Sequence, residues 1–173
     1  VGSEMCIRDS TKGSLEEIAP TTVKPNGYED WQVPWEKQVE TIADAVGKED
    51  EGDKLIDDTE KAFEEFRHEH AELQDKSAAI VMPYDGKIGL YTEEDGRGQF
   101  IEDLGMEIPD ALQGDGGSFF VDIAPENYAK LNQVDYLFVL DYNGSSDALK
   151  KDKTFQGLDI VKDDCLLYTS DAA

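Results

Sequence analysis

The spacing of apolar residues along the chain changes near residue 77, and that change sets the expected architecture. Upstream it is helical. Trp35, Val39, Ile42, Ala43 and Val46 recur at i, i+4, i+7, i+8 and i+11, a single stripe along a helix. Pro34 suits the opening of that helix and Gly47 its stop. A longer helix is predicted over residues 49–73. There Leu55, Thr59, Ala62, Phe63, Phe66, His70 and Leu73 share one face, while acids and lysines fill the other. Ahead of both, residues 18–25 (IAPTTVKP) form a short extended run punctuated by prolines, and Asn26-Gly27 marks a turn.

Downstream the apolar runs are short and continuous. Residues 78–83 (AAIVMP) predict a buried strand. Residues 87–91 (KIGLY), 118–123 (SFFVDI) and 134–140 (VDYLFVL) predict further extended pieces. Helices are expected over 99–104, ending at Gly105, over 125–131, opening at Pro125, and over 147–151. Residues 95–98 (DGRG) are expected to be a loop. Strands alternating with helices predict an α/β domain with a largely parallel sheet.

Charge and cysteine usage narrow the function classes. The net charge of −24 repels nucleic acid and anionic lipid. No apolar run approaches the roughly 18 residues a membrane helix needs. Both cysteines, Cys6 and Cys165, lie in terminal segments that match a translated transposase adapter from sequencing libraries. Residues 165–170 (CLLYTS) are encoded by TGTCTCTTATACACATCT, and residues 5–9 (MCIRD) by its reverse complement read one base out of phase. The expected partition is therefore adapter at 1–10 and 165–173, with native sequence at 11–164, open at both sides. The two segments hold three acids (Glu4, Asp9, Asp171) and one base (Arg8), so removing them moves the charge only from −24 to −22.

Signatures of catalysis are missing from the sequence: no G-x-S-x-G, no Walker A, no G-x-G-x-x-G after a strand. The acidic loops do not fit the EF-hand pattern. His68 and His70, two apart on a helix, point about 200° apart and do not share a metal. His70 is expected to pack or cap. The charge run 49–58 is expected to be a solvated helix face. The segment with the most chemistry is 84–100, which follows the carboxyl end of a strand, where open α/β sheets bind ligands. It offers Tyr84, Tyr91, Arg97, Gln99 and Phe100. Arg97, set among glycines, either grips a carboxylate or oxygen-rich chelate through its planar fork or pairs with Glu93, Glu94 or Asp95; spacing leaves both open. Trp35 is expected in the core. Trp31, beside a turn and off the apolar stripe, is a candidate to line a cleft. Glu126, in the first turn of a helix, is placed favourably for the helix dipole.

Several segments together, in order and spacing, resemble the siderophore and vitamin B12 class of ABC-importer solute-binding proteins. They are IAPTT (18–22), PNGYEDW (25–31), ETIADAVGKEDEGDKLI (40–56), AAIVMPYDGKIGLYTEEDGRGQFIEDLG (78–105), GGSFFVDIAPEN (116–127) and VDYLFVLDY (134–142). The flavour is that of the iron–siderophore subgroup of Gram-positive actinobacteria. The resemblance implies an α/β, two-lobed fold whose lobes are joined by one long helix, with the ligand between them. Residues 11–33 would be a remnant of the N-terminal lobe, its last strand at 18–25. Residues 34–76 would hold the helices, including the connecting one, and 77–164 an incomplete C-terminal lobe. By resemblance Tyr84, Tyr91, Arg97 and Gln99 face the ligand, and Glu126 docks with the importer permease. The siderophore supplies the iron ligands, so no cofactor, no protein metal site and no catalysis are expected. The implied protein is a monomeric extracytoplasmic lipoprotein or periplasmic protein. Within the same fold, haem or cobalamin is an alternative ligand; haem would need an axial His or Tyr in the cleft, a role open to Tyr84 or Tyr91. A chelatase on a related two-lobed fold is a further alternative, and it would need ionisable groups converging in the cleft. The acidity favours a neutral or cationic ferric hydroxamate over an anionic ferric catecholate.

Overall fold

Residues 78–84 are apolar without interruption, and the fold uses them where both faces are covered. In the computed structural model, which describes residues 9–29, 31–163 and 165–169, strand β1 (Ala78–Tyr84) is central in a five-stranded sheet of order β3-β2-β1-β4-β5. The other strands are β2 (Lys87–Tyr91), β3 (Phe120–Ile123), β4 (Tyr136–Leu140) and β5 (Leu166–Thr169). β1 runs parallel to β4, and β4 parallel to β5. β1 and β2 are antiparallel, as are β2 and β3. The sheet is therefore mixed, which corrects the expectation of a largely parallel one. The cause is local: Asp85 and Gly86 both take positive φ, 45° and 76°, in a two-residue hairpin closing on the pair Tyr84↔Lys87. Asp-Gly between two apolar runs is the sequence signal for that turn.

Alternation sorts side chains onto two faces. Ala79, Val81, Ile88, Leu90, Leu137 and Val139 point to one core, completed by Leu112, Tyr128, Leu131, Leu149 and Phe155 from the turns and short helices beneath. These include the 3-10 run Pro125–Gln133, α5 (Ser146–Leu149), α6 (Lys153–Gln156) and α7 (Asp159–Lys162). Ala78, Ile80 and Tyr91 point to the other, with Ile101, Met106 and Ile108 from α4 (Gly96–Asp103) and the chain after it. Burying each large aliphatic or aromatic side chain contributes about 1.5–3 kcal/mol. Asp135 ties the mouths of β1 and β4 together: its carboxylate accepts from the Ser77 amide at 2.9 Å and from the Ser77 hydroxyl at 3.1 Å, and it pairs with Lys76 at 3.1 Å.

The chain divides into two compact units, Val1–Lys61 and Ala62–Ala173, with the division falling inside α3 (Glu49–Glu69). The second unit carries the sheet. The first contains α1 (Asp9–Glu16), α2 (Trp35–Val46) and the start of α3. Gly47 ends α2 in the left-handed region at φ 68°, and Lys48 N–H returns to the Ala43 carbonyl at 2.9 Å. The apolar stripe of α2 is only partly used: Ala43 is buried, whereas Ile42 is 50% and Val46 62% exposed. Gly52 on α3 lets Ala43 approach; a Cβ there would stand 2.5 Å from the Ala43 Cβ.

Three further expectations are corrected. The long helix stops at Glu69, and residues 71–73 form a 3-10 turn. Residues 18–25 pair with no strand among the described residues of the first unit, where Pro20 and Pro25 lack the N–H a ladder needs. The segment at 125–131 is a 3-10 run rather than an α-helix. Of the terminal segments read as adapter, residues 1–8 and 170–173 lie outside the described residues, Asp9 and Ser10 open α1, and 166–169 form β5.

Candidate functional site

The segment 84–100 is built of the end of β1, β2 and the first turn of α4, and Tyr84, Lys87 and Tyr91 gather on the α4 side of the sheet. The pairings Tyr84↔Lys87, Ile80↔Tyr91 and Tyr91↔Phe120 carry Tyr84, Lys87, Tyr91 and Phe120 to that side, and Gly89↔Asp122 adds Asp122. The Phe120 ring lies over Gly89, where a Cβ would stand 1.7 Å from Phe120 Cζ. Its centroid is 5.6 Å from Tyr84 and 5.2 Å from Tyr91. Phe119 lies 6.0 Å beyond. The Tyr84 hydroxyl donates to Asp122, whose other oxygen takes Lys87 Nζ at 2.8 Å. That hydrogen bond to a carboxylate raises the Tyr84 pKa, while the ammonium of Lys87 holds Asp122 below the usual carboxylate range.

Arg97 joins this aromatic row at its other end. Its Cζ stands 3.9 Å from the centroid of the Tyr91 ring, a cation–π stack. Its Nε pairs with Asp95 at 2.9 Å, and its side chain is 40% exposed. Tyr91 is buried, which raises its pKa, and its hydroxyl reaches Met82 Sδ at 3.6 Å. The loop expected at 95–98 is instead the first turn of α4. Asp95 caps that helix by accepting from Arg97 N at 2.9 Å. Gly98 does not leave room for a ligand: a Cβ there would meet the Thr92 carbonyl oxygen at 1.9 Å. Gln99 is partly buried in the same turn, its N–H bonded to the Asp95 carbonyl at 2.9 Å. Phe100 is exposed and meets Phe63 edge-on at 6.0 Å.

Tyr84, Tyr91 and Arg97 are thus brought together, and Phe120, Asp122 and Lys87 join them although neither residue type nor spacing had singled these three out. The strand at 118–123 was legible, but its register against β2 was not. Trp31 belongs to the first unit, exposed and with φ 72°. Glu126 is exposed at the start of the 3-10 run. His70 stacks on Phe66 at 4.5 Å and contacts Glu72 at 3.3 Å. A cavity of about 270 Å³ opens beside this row, lined by Thr92, Glu93, Glu94, Asp110, Gln113 and residues 114–118. It includes none of the predicted ligand residues, and its wall is acidic. Among the described residues no group of three His, Cys, Asp or Glu side chains is placed to hold a metal, and no helix is long and apolar enough to cross a membrane.

A family model described as periplasmic binding protein matches residues 2–172. None of the curated proteins matches the sequence. Among solved structures, the iron-uptake ABC transporter substrate-binding protein PiaA of Streptococcus pneumoniae TIGR4 is 26% identical with a TM-score of 0.76, over 96% of this chain and 58% of that one. PiaA in complex with ferrichrome gives 26% and 0.74, over 94% and 56%. A periplasmic solute-binding protein of Mycobacterium smegmatis gives 25% and 0.77, over 94% and 55%. The chain therefore spans somewhat more than half the length of these proteins. The family is one of binding proteins, not of enzymes. A mixed five-stranded α/β sheet, matched in fold by solute-binding proteins and covered from end to end by one family description, leads to a single assignment: the chain belongs to the periplasmic binding protein family.

Proposed function

We propose that this chain is part of the extracytoplasmic solute-binding component of an ABC importer, which captures a ferric siderophore and hands it to the permease. The observation that carries this is the row Arg97–Tyr91–Phe120–Tyr84, an arginine fork and aromatic rings side by side on one side of the sheet. A ferric chelate presents oxygen-rich charged edges and apolar arms, and such a row offers each a partner. The likeness to a protein solved with ferrichrome supports the same ligand class. Tyr84, Tyr91, Arg97 and Gln99 are the ligand-facing residues of this proposal, and Glu126 is the permease-docking residue. The iron stays with its chelator. The two ends are proposed to be adapter-encoded, which the sequence of the uninterrupted gene tests.

The test is a titration of the intact gene product with ferrichrome. Saturable binding that Arg97→Ala weakens about tenfold or more supports the proposal, and an unchanged affinity removes Arg97 from the site. Glu126→Ala is expected to leave binding intact and impair uptake. The acidic field further predicts tighter binding of ferrichrome than of an anionic ferric tris-catecholate, and the reverse order would refute that refinement.

A further inference from the structure

We propose that Asp95 is a positioning residue for the candidate site, its buried carboxylate taking the Nε–H edge of Arg97 so that the terminal nitrogens form the edge presented to a ligand. This rests on the reading of Arg97 as ligand-facing. Asp95 is 1% exposed. One oxygen, Oδ1, accepts the Arg97 backbone N–H at 2.9 Å and forms an ion pair with Arg97 Nε, also at 2.9 Å. The Asp95 amide is itself fixed to the Thr92 carbonyl at 3.0 Å, and Gly98 packs against that same carbonyl. The Tyr91 ring lies under the guanidinium at 3.9 Å from Cζ. Backbone, Nε and ring face are therefore all occupied, and a planar fork held at three points keeps a single orientation. A guanidinium has five N–H donors, of which Nε carries one, so four remain on the terminal nitrogens. A side chain already held has little rotamer freedom left to lose on binding.

A cap alone would explain a buried aspartate at 95, so the experiment separates capping from positioning. Serine and asparagine both cap helices well. Asp95→Ser keeps the cap but is uncharged and too short to reach Nε; Asp95→Asn keeps both cap and reach without the charge. The Arg97 Nε–H resonance of the chain, assigned by its loss in Arg97→Lys, is followed by hydrogen exchange at neutral pH, and ferrichrome is titrated in parallel. With far-UV circular dichroism unchanged, exchange is expected to be about tenfold or more faster in Asp95→Ser, with Asp95→Asn between it and the parent. Ferrichrome affinity is expected to fall in the same order. Equal exchange in the parent and Asp95→Ser overturns the proposal, as does tighter ferrichrome binding by either variant. If the parent binds no ferrichrome while exchange follows the expected order, the siderophore reading falls and the positioning of Arg97 stands.

Discussion

Single residues in this fold matter most where two backbones or rings come close. Gly89 has no Cβ, and Phe120 occupies that space between Tyr84 and Tyr91. Gly89→Ala should therefore displace the Phe120 ring and cost about 1–3 kcal/mol, read as a lower thermal midpoint with altered near-UV circular dichroism; an unchanged near-UV spectrum would argue against the stack. Asp135 illustrates the electrostatic side. The Ser77 amide and then the Lys76 ammonium stabilise its charged form and lower its pKa. A depressed folded-state pKa contributes stability that is present above the unfolded value and lost as pH falls through the folded one. The stability advantage over Asp135→Asn should thus be full at neutral pH and shrink below about pH 4. An advantage independent of pH would mean that the carboxylate's charge is not what holds the strand ends.

Helix and strand registers decide which of these residues meet. The stripe on α2 was visible in the sequence as Trp35, Val39, Ile42, Ala43 and Val46, yet only Ala43 is buried, against Gly52. Gly52→Ala tests this contact with opposing terms. Helix propensity favours Ala by about 1 kcal/mol, while the 2.5 Å approach to the Ala43 Cβ forbids it without a shift. Net destabilisation is expected in thermal melts, with partial recovery when Ala43→Gly is added; a stabilised single variant would show that α2 and α3 separate freely. The hairpin at Asp85-Gly86 teaches the reverse lesson. Its two-residue signal was present in the sequence, and it sets β2 antiparallel to β1 so that Tyr84 and Lys87 lie opposite each other.

At the scale of the molecule, charge dominates. A net −24 on 173 residues opposes compaction through self-repulsion. Raising sodium chloride from about 20 mM to about 500 mM shortens the screening length from roughly 20 Å to roughly 4 Å. The thermal midpoint should rise over that range, and a flat or falling midpoint would show that paired charges such as Lys76–Asp135 and Lys87–Asp122 outweigh the repulsion.

By itself the sequence determined the fold class, the helical stripes, the continuous apolar strands and the family, because these are properties of local periodicity and of segment order. It also singled out Tyr84, Tyr91 and Arg97 by residue type. Only the tertiary structure decided that Phe120 and Asp122 join them, that β3 pairs antiparallel with β2, and that Arg97 is held by Asp95 in a capped helical turn. Those outcomes depend on strand register and cap geometry. A shift of one residue in register turns every side chain of a strand to its other face, and nothing in the local pattern of residues 118–123 specified which partner they would meet.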